Sequence, residues 1–250
     1  MTRLSVNVNK VALLRNSREG QIPSVTKAAR LCLDAGAHGI TVHPRPDARH
    51  IRSSDVDDLK RLLAEPAYRN AEYNIEGNPF GEGFLELVEA AKPHQCTLVP
   101  DSPSQATSDH GWNLEADGER LIPVIRRLKE GGCRVSLFMD PEPERIGRAV
   151  DVGADRVELY TASYAIDHGR GGAARAESLA TFRRSAERAQ AVGLGVNAGH
   201  DLNLDNLADF VTIPGILEVS IGHALVADAL ETGLPATVRA YLERASQGAR

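Results

Sequence analysis

The stretch GGCRVSLFMDPEPERIGRAVDVGADRVELY, residues 131–160, decides the fold. It opens on two glycines, enters a β-branched and apolar run (RVSLF, 134–138) and crosses a polar turn. Apolar residues then recur at helical spacing (RIGRAVDVG, 145–153), and the segment ends in a second extended run, RVELY (156–160). Strand, helix and strand joined this way make a βαβ unit, which requires a parallel sheet.

The same unit recurs outward in both directions. Extended runs lie at 4–8 (LSVNV), 39–43 (GITVH), 72–76 (EYNIE), 96–100 (CTLVP), 194–198 (LGVNA) and 217–221 (LEVSI), which with the two above makes eight. Helical spacing marks 25–36, 55–65, 83–92, 120–132 and 178–193. Glycine closes several helices just before a strand, at Gly36, Gly131, Gly132, Gly153 and Gly193, where it tolerates a left-handed backbone. Eight such units in 250 residues predict one α/β domain over 1–250, a (βα)8 TIM barrel with extra helical material in its βα loops. The doubly wound alternative lacks support, because the turn after the first run, NVNKVALLRNSREG, has no GxGxxG. Two connections, 101–119 and 161–177, are longer than linkage requires and read as binding loops.

Composition narrows the partners. A net charge of −5 and only eleven aromatic residues argue against nucleic acid, which needs a basic footprint or stacking rings. No apolar run reaches the ~20 residues of a membrane span, and MTRLSVNVNK does not resemble a signal peptide, so a cytoplasmic chain with no membrane partner is expected. Cys32, Cys96 and Cys133 form no CxxC and read as buried thiols.

A barrel of this kind assembles its active site at the C-terminal ends of the strands. Asn7 and Asn9 fall there after the first run, His43 and Arg45 after the second, and Asn74 and Glu76 on the third. Glu158 lies on the sixth, Asn197 with Gly199-His200 on the seventh, and Gly222-His223 follow the eighth. Three of the eight histidines thus converge on one rim, with His50 in a loop beside them. Glu76 ends an apolar run, where burial would tune it for acid/base work, although an ion pair with a neighbouring arginine is the alternative; Glu158 is balanced between the same two roles.

Glycine amides at Gly199 and Gly222, with a helix beginning near Ala224, suit a phosphate, and Arg18, Arg45, Arg49 and Arg52 offer a second anionic grip. A small substrate phosphorylated at one or both ends follows. The first run ends NVN and not HxH, which speaks against an amidohydrolase metal centre. The last four runs carry no lysine for a Schiff base, and Lys10 is the only lysine near a strand end. Acid/base chemistry by histidine and glutamate, without metal or other cofactor, remains.

At this point the motifs become recognisable. VNVNKVALLRNSR (6–18), GITVHPRPDARHI (39–51), NIEGNP (74–79), KPHQCTLVPD (92–101), VSLFMD (135–140), ELYTASYA (158–165), VNAGHDLN (196–203) and VSIGHAL (219–225) together resemble the pyridoxine 5′-phosphate synthases, in order from residue 4 to about 240. The resemblance implies a cofactor-free transferase of vitamin B6 biosynthesis. It condenses 3-amino-2-oxopropyl phosphate with 1-deoxy-D-xylulose 5-phosphate, and the family is a homo-octamer. By the same resemblance His43 is a general base, Glu76 a second acid/base group and His200 the proton donor. Asn7, Gly222 and His223 contact the amine substrate; Arg45, His50 and Thr107 hold the deoxyxylulose phosphate; Arg18 is a further contact.

The chain departs from the family at two places. Asn9-Lys10 replaces the commoner Asp-His pair, and Asp201 replaces a glycine at a phosphate contact, so these three positions are expected to bind substrate with altered chemistry. Two rival readings share the residues: a one-substrate phosphosugar isomerase or epimerase, and a non-catalytic barrel that only binds a phosphorylated metabolite.

Overall fold

The computed structural model describes residues 1–102, 104–105 and 107–249. Its eight strands are β1 (Arg3–Asn7), β2 (Gly39–Val42), β3 (Glu72–Gly77), β4 (Gln95–Leu98), β5 (Arg134–Met139), β6 (Arg156–Tyr160), β7 (Gly195–Gly199) and β8 (Ile216–Ile221). They close in chain order, every pair parallel, with β8 returning to β1. This is the expected (βα)8 barrel.

Eleven α-helices lie among the described residues: α1 (Asn9–Asn16), α2 (Val25–Asp34), α3 (Ser53–Leu63), α4 (Phe84–Ala91), α5 (Leu114–Glu130), α6 (Pro143–Ile146), α7 (Ala162–Arg170), α8 (Gly172–Ala191), α9 (Leu207–Phe210), α10 (His223–Thr232) and α11 (Leu234–Ser246). Gly36, Gly132, Gly153 and Gly193 end helices at φ between 84° and 105°, the conformation their glycines were expected to supply; Gly131, at φ −73°, remains right-handed. Among the described residues, no helix is long and apolar enough to cross a membrane. Cys32, Cys96 and Cys133 are free and buried.

Four local expectations need correction. The segment after β1 is not a turn but α1. Asn7 Oδ1 accepts from the backbone N–H of Asn9, at 3.0 Å, and so fixes the start of that helix. The 161–177 connection is mostly helical, α7 followed by α8, and α5 begins six residues earlier than the helical spacing at 120 suggested. The helical stretch at 145–153 divides into the single-turn α6 and a 3-10 turn at Gly147–Val150.

Alternation within the strands sorts the core. Leu4, Val6, Ile40, Val42, Ile75, Leu98, Val135, Leu137, Val157, Leu159, Val196 and Val219 are fully buried between strands and helices, each contributing about 1.5–3 kcal/mol of apolar burial. Their neighbours in sequence point the other way, and many are polar. The Ser5 and Thr41 hydroxyls lie 2.7 Å apart, Asn74 donates to Thr41 at 3.3 Å, and Thr97 donates to Asn74 at 3.1 Å. Asn197 donates to Gln95 at 3.4 Å and accepts from Arg156 at 3.0 Å. The barrel interior is therefore a hydrogen-bonded layer, and it forms the floor on which the rim residues stand.

Candidate active site

A cavity of about 280 Å³ opens at the C-terminal ends of the strands. Asn7, Asn9, Lys10, His43, Arg45, His50, Glu76, Thr107, His200, Asp201, Gly222 and His223 all line it, as do Arg49 and Glu158. Arg18 and Arg52 do not: Arg18 is exposed beyond α1, and Arg52 stands at the start of α3 with its backbone N–H given to Asp55 at 2.8 Å.

His43 and its neighbours are held from three strands. The backbone N–H of His43, just past β2, donates to Asn9 Oδ1 at 2.9 Å. His43 Nδ1 lies 4.0 Å from Glu76 Oε2, and Asn7 Nδ2 donates to that same oxygen at 3.3 Å. Burial pushes His43 well below the ordinary imidazole range, and the Arg45, His50 and Arg49 charges push the same way. Burial pushes Glu76 well above the ordinary carboxylate range, helped by Glu158 and Asp101. The pair thus holds its proton on the carboxyl and leaves the imidazole neutral. A neutral imidazole can take a proton and a protonated carboxyl can give one.

Beneath them Glu158, on β6, is 4% exposed and pushed up to about 7 by burial, against the opposing effects of the Thr97 hydroxyl and His200. The two carboxyls therefore line one cavity, and each disfavours a negative charge on the other.

His200 follows β7 with φ +83°, and Asp201 continues at φ +59°. Two consecutive non-glycine residues in the left-handed region cost on the order of 1 kcal/mol or more each unless the surroundings fix them. Thr161 does so from the end of β6, its hydroxyl facing the carbonyls of Gly199, at 2.8 Å, and His200. Asn206 Nδ2 donates to the Asp201 carbonyl at 3.1 Å. The imidazole stands edge-on to Tyr160 with 5.1 Å between ring centres, and the Thr107 hydroxyl lies 3.0 Å from its Nε2. The Asp201 carboxylate lies 3.1 Å from His200 Nδ1, and that contact holds Asp201 below the usual carboxylate range.

Two groups of hydrogen-bond donors that could hold an anion flank these side chains. On one side α10 begins at His223, so its first amides, with Gly222, face the cavity. On the other, Arg45 and Arg49 both donate to the Gln105 carbonyl, at 2.9 and 2.8 Å, beside His50. Burial and the Arg45 and Lys10 charges lower His50 to about 4, so it is a neutral hydrogen-bonding group there. Its Nδ1 accepts from the Ile51 N–H at 3.0 Å.

Some neighbours of the site were not singled out from the sequence. Thr161 sits one residue past β6. Ser108 and Asp101 belong to the 101–119 connection; its length was the clue to Ser108, and Asp101 closes the motif KPHQCTLVPD (92–101) on which the resemblance rests in part.

Residues 4–247 match the family described as "Pyridoxal phosphate biosynthesis protein PdxJ". The pyridoxine 5′-phosphate synthase of Xanthomonas campestris pv. campestris (strain B100) is 56% identical, over 99% of this chain and 98% of the relative. That of Albidiferax ferrireducens is 57% identical over the same shares. Among solved structures, phosphoribosyl anthranilate isomerase from Thermotoga maritima matches with TM-score 0.61 at 13% identity, covering 98% of this chain and 99% of that one. Thiamine phosphate pyrophosphorylase from Pyrococcus furiosus matches with TM-score 0.60 at 14% identity, over 98% and 96%. At that identity the two structures speak for the barrel alone.

Proposed function

The chain belongs to the PdxJ family of pyridoxal phosphate biosynthesis proteins, and from that premise we propose that it makes pyridoxine 5′-phosphate. The reaction is a ring-closing condensation of 3-amino-2-oxopropyl phosphate with 1-deoxy-D-xylulose 5-phosphate, releasing phosphate and water. The observation that carries this reading is the arrangement of three proton-transfer groups between two anion seats. His43 and Glu76 lie 4.0 Å apart, and His200 shares their cavity, flanked by Arg45 and His50 on one side and Gly222 with His223 on the other.

Imine formation, loss of water and phosphate, and aromatisation each move protons, which suits a neutral imidazole base, a protonated carboxyl and a second imidazole. In this assignment His43 takes the first proton, Glu76 relays a second and His200 donates to a leaving oxygen. Asn7 contacts the amine substrate with Gly222 and His223, whereas Arg45, His50 and Thr107 hold the ketose phosphate. Asn9 acts through the backbone of His43. Lys10 offers a cation where the commoner motif has imidazole. Asp201, 3.1 Å from His200 Nδ1, brings a carboxylate to the substrate-binding position where the commoner motif has glycine. Arg18, exposed and outside the cavity, stays in this reading as a further substrate contact on the family resemblance alone.

Assembly as a homo-octamer in the cytoplasm belongs to the same reading. The half-exposed Leu13 and Leu14 on α1 and the exposed Ile22 are apolar surface that subunit contact would cover. Light scattering on the purified protein tests the stoichiometry.

Incubating the protein with both phosphates, without added metal or nucleotide, and following the product by mass tests the activity. Appearance of pyridoxine 5′-phosphate supports the reading; binding of both substrates without product overturns it.

A further inference from the structure

Asp101 lies three residues past β4 and is 5% exposed. It does not line the catalytic cavity. It lines a neighbouring one of about 630 Å³, behind Arg45, whose walls include Pro44, Phe80 and Leu87. From that position its carboxylate reaches three parts of the site at once. Oδ2 pairs with Arg45, lies 3.8 Å from His43 Nε2 and accepts from the Ser108 hydroxyl at 2.8 Å. Its backbone carbonyl accepts from Asn78 Nδ2 at 2.8 Å, which ties the end of β4 to the end of β3. Oδ1 is buried without a hydrogen-bond partner among the described residues.

A buried carboxylate is costly, and this one survives on a single strong ion pair and one hydroxyl. Packing alone would be served as well by an amide of the same shape. What an amide cannot supply is negative charge on the far side of the base from Glu76.

We propose that Asp101 is a positioning residue for the synthase reaction: its anion holds Arg45 in the phosphate seat and sets the proton affinity of His43 from behind. The idea rests on the functional reading above for its meaning. Every titratable or charged group facing His43 enters the balance. Glu76 stands at Nδ1 and Asp101 at Nε2, with Arg45, Arg49, Asp47 and His50 on the connection after β2. Burial and the Arg45 and Arg49 cations favour neutral imidazole; the Asp47 carboxylate opposes them, and the Asp101 carboxylate, 3.8 Å from Nε2, must act in the same sense as Asp47. Removing its charge must therefore lower the affinity of His43 for a proton, while loosening Arg45.

The test is Asp101→Asn, with Asp101→Ser as the second variant should the first fail to fold. Histidine Cε1 NMR on 13C-labelled protein without substrate, with His43 assigned through His43→Gln, reads the titration directly. The expected result is a fall of about one pH unit in the His43 midpoint, the size of effect of an opposite charge within ~4–6 Å. Ser108→Ala, which keeps the anion, leaves that midpoint in place. In kinetics, Asp101→Asn raises the KM for the ketose phosphate several-fold and moves the acid limb of kcat to lower pH. An unmoved His43 midpoint in a folded, charge-free variant overturns the proposal and leaves Asp101 a structural anchor. Because the titration is read without turnover, failure of the wild type to form product would overturn the functional reading and leave this result standing.

Discussion

Thr107 places its hydroxyl 3.0 Å from Nε2 of His200, so the connection between β4 and α5 meets, over the cavity, the imidazole that β7 delivers from below. A hydroxyl there orients the ring by engaging its Nε2. Thr107→Val keeps the shape and deletes the hydrogen bond. The expected loss in kcat/KM for the ketose phosphate is about tenfold, the equivalent of one hydrogen bond near 1.4 kcal/mol. Thr107→Ser should recover most of it. Steady-state kinetics on the two variants decide whether the contact matters, and equal values for Val and Thr would show that it does not.

Glu76 is held protonated by burial and by the carboxyls around it. Glu76→Gln preserves size and can still accept from Asn7 Nδ2 through its amide oxygen, but it cannot transfer a proton. Removing one acid/base group costs about 10²–10⁴ in kcat. Affinity for either phosphate, measured by calorimetry, should stay within about threefold because the anion seats are elsewhere. A variant that turns over at the wild-type rate would remove Glu76 from the mechanism.

The eighth strand hands over to α10 through Gly222, where a Cβ would stand 3.0 Å from Asn7 Cβ and 3.2 Å from Asn7 Cγ. Its φ of −124° suits any residue, so the requirement is space. Gly222→Ala must push Asn7 away from Glu76 and disturb the amides at the start of α10. We expect the KM for the amine substrate to rise about tenfold and the midpoint of thermal unfolding to fall a few degrees, consistent with overpacking of about 1–2 kcal/mol. An unchanged KM would place the amine phosphate away from Gly222.

The strand ends were readable in the sequence because extended runs mark where β2, β3, β7 and β8 stop, and helix-ending glycines mark where β2 and β7 begin. His43, Glu76, His200 and Gly222 follow from those marks. Residues that act from connections left no such trace. Asp101 and Thr107 sit in a segment with no periodicity, and their partners, Arg45 and His200, are 56 and 93 residues away in sequence. Helix α1 escaped because eight residues with exposed Leu13 and Leu14 give little amphipathic pattern, and its start depends on one side chain, Asn7. The glycines at 169, 171 and 172 disguised α7 and the start of α8 as loop. Nor did the runs reveal the polar barrel interior, because threonine and serine alternating with valine read simply as strand formers.

That interior makes stability depend on pH. Glu218, on β8, is 1% exposed with Oε2 unpartnered among the described residues, and burial with Glu72 and Glu158 nearby raises it to about 8. A carboxyl raised in the folded state costs nothing below its unfolded value near 4.5, where both states are protonated. As pH climbs from there the unfolded chain ionises first, and stability is lost until the folded carboxyl also ionises near 8. Glu218→Gln removes this share of the loss. Its unfolding midpoint should gain on the wild type between pH 5 and pH 9 by several degrees, for an effect of the order of 2 kcal/mol in a chain of this size. Differential scanning calorimetry at the two pH values reads the difference. A variant whose midpoint tracks the wild type at a constant offset would mean that Glu218 is already ionised in the folded barrel at pH 5, held there by Arg156 and Arg3, whose charges oppose its shift.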